Sequence, residues 1–329
     1  MAKQPLSRAT GVDVDYYQQL YDPAWAEQSP RPQAKKARKK PPKAHAIVAE
    51  LTDETVGLEG GFETTYRPGP FESVWLLKSL RGFYDRDLLS DILAVVKGGK
   101  EANVYRCAGG PGAHAHLVAA KGYRPRSLRN LRNDKMYREG RQVLTGDGKA
   151  VKKNDHRIMR ALNKKTAFGQ EVAHTSWLMY EYTTLERLHQ AGASVPRPIA
   201  VDGNAILMQY FGDRMVAAPT LHEVCLEPQV ARRLLDQVVF NLELMLEGDM
   251  IHGDLSAYNI LYWADEMTII DFPQVTNAKG NSNARFILSR DVHRVCEYFQ
   301  LQGVSANPRA LADHLWQRFQ ARSANDILA

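Results

Sequence analysis

Ile251-His252-Gly253-Asp254-Leu255-Ser256-Ala257-Tyr258-Asn259-Ile260-Leu261 decides the reading of this chain, together with Thr268-Ile269-Ile270-Asp271-Phe272-Pro273 just after it. Both acidic residues sit at the edge of apolar runs, and a short apolar run bounded by polar residues reads as a buried strand. Asp254, Asn259 and Asp271 are therefore predicted to meet on loops held by buried strands. They offer hard oxygen ligands, which suit magnesium and the phosphates it carries. His-Gly-Asp alone is a common tripeptide, and a lone loop aspartate is usually a turn or cap residue. Here two elements occur in the right order. H-x-D-x-x-x-x-N followed by D-F is the phosphoryl-transfer pattern, with a catalytic Asp254 and metal-binding Asn259 and Asp271.

Two further elements lie upstream. Asp91 to Val96 reads as a strand, and a second strand starts at Asn103. Between them, Gly98 and Gly99 allow the backbone to approach a phosphate closely, with Lys100 facing it. The same residues also read as a plain Gly-Gly hairpin. They do not form the G-x-x-x-x-G-K-[ST] loop, nor a three-glycine loop. Leu117 to Lys121 reads as a third strand ending in a lysine, the place from which a kinase lysine holds the α- and β-phosphates. In Ser176 to Leu188 the apolar residues recur at helical spacing. Glu181 falls on the buried stripe and Glu186 toward solvent. A buried glutamate needs a cation, and Lys121 is the candidate; a cap or surface role for Glu181 is the alternative. Ile206 to Gly212 reads as an apolar strand ending in glycine. It is either a core strand or a hinge whose backbone from Gln209 to Phe211 meets an adenine edge.

Gly99-Lys100-Glu101-Ala102-Asn103-Val104-Tyr105, His252-Gly253-Asp254-Leu255-Ser256 with Tyr258-Asn259-Ile260-Leu261, and Ile270-Asp271-Phe272-Pro273-Gln274 together resemble the RIO family of atypical serine/threonine protein kinases. The match continues through Arg290-Asp291-Val292 to Phe299 and spans about residues 72–300. The resemblance implies an α+β, two-lobed protein-kinase-like fold with a shortened C-lobe. It implies ATP with magnesium, manganese serving as a substitute, and a Ser/Thr protein substrate, the chain itself included. Carried over by position, Asp254 is the base, Asn259 and Asp271 the metal ligands, and Lys121 with Glu181 the phosphate-holding pair. Gly99, Lys100, Val104, Lys121, Gln209, Phe211 and Asn259 then line the nucleotide. The usual kinase lysine two residues after the base is Ser256 here, as in this family. Lys97-Gly98 stands where many members carry Ser-Thr. Some members resemble ATPases, and a carboxylate can act as nucleophile, so Asp271 is also a candidate for an aspartyl-phosphate.

The remaining chain bounds this reading. At 329 residues and 44% hydrophobic content a full core can form. Cys107, Cys225 and Cys296 lack disulfide or zinc spacing, and no stretch approaches a membrane span, so a cytoplasmic protein is expected. Net charge is +6, but residues 35–43 carry six positive charges and residues 122–170 a net +10, leaving −10 elsewhere. Concentrated positive charge attracts polyanions, so RNA or a ribosomal particle is a candidate partner; solvated loops are the plainer alternative. Residues 1–45, basic and Pro-rich, read as a disordered tail and 46–70 as a linker of uncertain structure. An N-lobe is expected over 71–208, with a helix at 72–84 and the basic insert at 122–170, and a C-lobe over 209–329. Two rivals share parts of this pattern. A small-molecule kinase of the aminoglycoside or choline type also uses H-G-D-L, and an RNA assembly factor could use ATP as a switch.

Overall fold

The computed structural model describes residues 64–99, 101–124, 139–152, 154–164 and 166–328. The expected tail, most of the linker, Lys100 and, within the basic insert, residues 125–138, Lys153 and Lys165 lie outside the described residues. Helix α1 (Pro70–Tyr84) opens on a proline, whose missing N–H and fixed φ suit a first turn. Its Trp75, Leu76, Leu80 and Phe83 are buried.

This stripe covers one face of a five-stranded antiparallel sheet built from β1 (Leu89–Gly98), β2 (Ala102–Gly109), β3 (Leu117–Tyr123), β4 (Pro198–Asp202) and β5 (Ala205–Gln209). The strand order is β1-β2-β3-β5-β4. Central β3 reads as a continuous buried run because both of its faces are covered. Val118 and Ala120 pack with α1, whereas Ala119 and Tyr123 belong to the larger core on the other side. The two-residue side-chain period of a strand produces this split.

Among the described residues, two helices lie between β3 and β4, α2 (His156–Lys164) and α3 (Ala167–Gln190). The Thr166 hydroxyl caps α3 by accepting from the Gly169 N–H at 3.1 Å, a contact contributing about 1 kcal/mol. The glutamate-bearing helix therefore starts well before the apolar stripe that announces it at residues 176–188. The cap, not the stripe, sets its beginning.

The rest is mainly helical, with α4 (Pro228–Glu247), α5 (Ala284–Leu301) and α6 (Pro308–Leu328). Leu234, Val238 and Leu242 of α4 are buried, as are Leu315 and Phe319 of α6, while Leu311 is only partly so. Two small ladders sit on this helical bed. β6 (Met250–Ile251) pairs with β9 (Thr276–Asn277), and β7 (Ile260–Trp263) with β8 (Glu266–Ile269). The loop from 252 to 259 joins β6 to β7, and the loop from 270 to 275 joins β8 to β9, so ladder pairing brings both loops to one end. This is a kinase-like α+β architecture. No described helix is long and apolar enough to cross a membrane.

Candidate active site

Antiparallel pairing sets Lys121 opposite Val104 on β2 and Ile206 on β5. Its ammonium, on a side chain 10% exposed, lies 2.5 Å from Glu181 Oε1 and 2.5 Å from Asp271 Oδ1. Glu181 is buried on α3 and also accepts from the Tyr123 hydroxyl. Burial alone would favour the neutral amine, but the two carboxylates outweigh it and hold Lys121 well above its ordinary range. The converse holds for Asp271. Burial acts to raise it, and the Lys121 charge prevails, keeping it below the ordinary carboxylate range. Burial, then the Glu181 charge, pushes the Tyr123 phenol up, so it remains a donor to that glutamate.

The two loops are tied by a chain of hydrogen bonds. His252 Nε2 donates to Ile270 O at 3.1 Å, and His252 Nδ1 accepts from the Asp254 N–H at 3.3 Å. Those partners make Nε2 the donor and Nδ1 the acceptor. Both ring nitrogens are thus engaged with backbone, which makes His252 a brace between the loops. Asn259 Nδ2 donates to Asp254 O at 2.9 Å, and Asn259 O accepts from Ile270 N at 2.9 Å. Gly253 takes φ +83, and a Cβ there would lie 2.4 Å from Gln274 O, so only glycine lets the two loops approach this closely. Asp271 itself adopts φ +72, a left-handed conformation uncommon outside glycine and held here by its surroundings.

Asp254 stands apart from the lysine cluster. Its Oδ1 accepts from Arg294 Nη1 at 2.9 Å, with side chains 30% and 8% exposed respectively. Its Oδ2 has no partner among the described residues. Burial raises the Asp254 carboxyl above the ordinary range; Arg294 opposes this and Asp291 adds to it. Asp291 Oδ2 accepts from the Gly253 N–H at 2.7 Å, and Arg290 donates to both Gly253 O and Asp291. The backbone ahead of Asp254 is therefore clamped from α5.

At the glycine turn, the Gly99 N–H donates to Asn103 Oδ1 at 3.2 Å, and Arg124 Nη2 donates to the same oxygen at 3.1 Å. Asn103 Nδ2 in turn donates to Glu72 Oε1 at 3.0 Å, tying the turn to α1. Val104 is half-buried one strand away from Lys121, and Lys100 lies outside the described residues. At the far edge, Gln209 is exposed and its N–H bonds Arg197 O at 2.9 Å. Phe211 O already accepts from Ala218 N at 3.0 Å, and Gly212 takes φ +126.

Asn259 and Asp271 suit a hard divalent cation on the chemistry of their donors. The Asn259 amide nitrogen is turned to Asp254 O, which leaves Oδ1 free for a ligand. Asp271 keeps Oδ2 free of the Lys121 contact, on a side chain 42% exposed. Among the described residues no group of three His, Cys, Asp or Glu could hold a metal. An ion here would complete its shell with phosphate oxygens and water, as magnesium commonly does.

Of the residues singled out in the sequence, Lys121, Glu181 and Asp271 are joined by ion pairs, while Asp254 and Asn259 lie on the loop hydrogen-bonded to the Asp271 loop. Sequence reading misses Arg294 and Tyr123. Neither carries a motif, and each reaches the site across 40 and 58 positions of sequence to its partner.

Comparison with known proteins follows the same pattern. The RIO domain family matches residues 127–311, more than half of the chain. The RIO-type serine/threonine-protein kinase Rio1 of Haloferax volcanii is 34% identical over 214 residues, covering 65% of this chain and 64% of that protein. Rio1 of Thermoplasma acidophilum is 30% identical over 139 residues, covering 42% of this chain and 72% of the relative. The serine/threonine-protein kinase RIO1 of Chaetomium thermophilum is 29% identical over 232 residues, or 67% of this chain and 41% of that protein. The chain thus spans less than two thirds of the length of the first and third of these relatives. With the domain matched and the loops tied in this geometry, the chain belongs to the RIO family.

Proposed function

We propose that the chain is an ATP- and magnesium-dependent serine/threonine protein kinase. The observation that carries this is the buried Lys121 ammonium shared by Glu181 and Asp271, with Asp254 on a separate loop hydrogen-bonded to the Asp271 loop. A cation so placed can fix phosphate oxygens, and positioning with charge neutralisation supplies most of the barrier reduction in phosphoryl transfer. Asn259 and Asp271 would hold magnesium, which when bound neutralises charge on the phosphates. Asp254 accepts the proton of the attacking serine or threonine hydroxyl. The new bond joins that oxygen to the γ-phosphorus, the bond from phosphorus to the bridging oxygen breaks, and ADP leaves with that electron pair. Arg294 holds Asp254 Oδ1, so that Oδ2 is the oxygen presented to the acceptor. Val104, the Gly99 turn with Lys100, and the backbone between Gln209 and Phe211 would enclose the nucleotide.

Incubation with γ-labelled ATP and mass spectrometry of the product tests this. Label on serine or threonine, lost in Asp254→Asn, is expected. Unchanged transfer in that variant removes Asp254 from the mechanism. Label sensitive to hydroxylamine would instead place the phosphoryl group on Asp271. A second reading rests on α2, where Arg157, Arg160 and Lys164 are exposed on one short helix of the basic insert. RNA binding that weakens steeply with salt and with removal of these charges would support a polyanion partner. The unpaired Cys107, Cys225 and Cys296 accord with a reducing, cytoplasmic setting.

A further inference from the structure

The described end of the basic insert lies against the metal-loop side of the site. Arg141 Nη2 donates to Pro273 O at 2.9 Å and, through a second close contact, to Val275 O. Its guanidinium carbon sits 4.5 Å from the centre of the Tyr180 ring, and the Tyr180 hydroxyl donates to Asn277 Oδ1 at 3.0 Å. Beside it, Gly140 takes φ +79 and meets Gly280; a Cβ at 140 would lie 2.6 Å from Gly280 O. Glu139 Oε2 accepts from Ser282 Oγ at 2.9 Å. Farther on, the Leu144 N–H donates to Ser176 Oγ at 2.9 Å on α3, the helix that carries Glu181.

These contacts converge on the segment immediately after Asp271. Residues 273 and 275 are the turn that leads from Asp271 into β9, and β9 pairs with β6, which runs straight into His252. One guanidinium spanning two carbonyls of a short loop fixes the relative orientation of their peptide planes. Both bonds leave the one Nη2 nitrogen, whose direction is set by the guanidinium plane carried over the Tyr180 ring; a lysine ammonium is a compact charge with no such plane. Asp271 needs such fixing, since it sits in a left-handed conformation that its own side chain favours only weakly.

We propose that Glu139, Gly140 and Arg141 form a clasp that sets the pose of the Asp271 loop, with Arg141 a positioning residue for the divalent ion. This assigns part of the insert to the chain's own active site rather than to an external partner. It rests on the proposed kinase reading only in naming the ion as the magnesium of that reaction.

The test uses the full chain as wild type, Arg141→Ala and Arg141→Lys. Hydrogen exchange of the ligand-free proteins is followed over residues 273–283, and magnesium is titrated in the presence of ADP with thermal unfolding as readout. In Arg141→Ala, exchange should accelerate over that segment while α4 and α6 stay as in the wild type. Half-saturating magnesium should rise about tenfold, as loss of a partner that orients a metal ligand does. Arg141→Lys should fall between the two. Wild-type exchange together with wild-type half-saturation in Arg141→Ala overturns the proposal. Should Arg141→Ala fail to fold, Arg141→Lys decides, and half-saturation within about twofold of wild type overturns it. If the wild type itself shows no magnesium-dependent shift with ADP, the kinase reading fails, and the exchange measurement alone judges the clasp.

Discussion

The two aspartates of the site sit on loops tied together through His252, Asn259 and Ile270, yet their surroundings push them in opposite directions. Asp271 faces the Lys121 ammonium and is held below the ordinary carboxylate range. Asp254 has a guanidinium on one oxygen, but burial prevails and raises it. Carboxyl groups driven apart in this way take different roles. A carboxylate held in its charged form by a cation suits metal binding, whereas one that holds a proton more readily suits proton exchange. Loop placement alone would not separate them. Their counter-ions do, one arriving from a sheet strand and the other from α5.

Changes at Asp254, the proposed proton acceptor, should give the largest effects. Asp254→Asn is expected to lower phosphoryl transfer by about 10²- to 10⁴-fold, the usual range for a general base, while thermal unfolding shows the fold intact. Retained activity would mean the contrast between the two aspartates has no catalytic meaning. On the charged side, Lys121→Met should destabilise the protein by about 3–5 kcal/mol in denaturant unfolding, because it leaves Glu181 buried without its cation. Activity should be lost with it. A stable Lys121→Met protein would show that the cluster relaxes around water.

Sequence spacing anticipates this contrast only in part. Asp254, Asn259 and Asp271 are legible because their spacing is local and flanked by apolar runs. Lys121 and Glu181 are legible because a strand end and a helical stripe each mark one buried charge, and opposite buried charges must pair. Arg294 is not legible, since an arginine on an amphipathic helix resembles any solvated side chain until the helix is docked. Arg141 belongs to a segment whose composition suggests polyanions, and composition carries no register. The start of α3 is missed for a related reason. A hydroxyl cap acts through one hydrogen bond and leaves no periodic trace.

Arg294→Ala sharpens the comparison further. As the proposed base, Asp254 would work only when ionised, so activity should fall as pH drops through its value, which lies above the ordinary 3.8. Removing the guanidinium withdraws stabilisation of the ionised form. The acid limb of the rate profile should therefore move to higher pH, with a drop of about tenfold near neutrality from lost positioning. An unmoved acid limb would assign that limb to another group. The smallest change is Tyr123→Phe, which removes one donor to Glu181 and should cost about 1–2 kcal/mol of stability. Magnesium dependence should be unaltered, since Asp271 keeps its lysine. A changed metal requirement would show that the two carboxylates on Lys121 respond as one unit.

The left-handed backbone at position 271 limits which replacements there can be interpreted. Asparagine visits that region with little penalty, so an Asp271→Asn allele isolates the loss of one negative charge. Alanine or valine would add a torsional cost of about 1–2 kcal/mol before any chemistry is altered. A phenotype from those alleles would mix a misfolded turn with the loss of the proposed metal ligand. Only the amide substitution would report on the carboxylate itself.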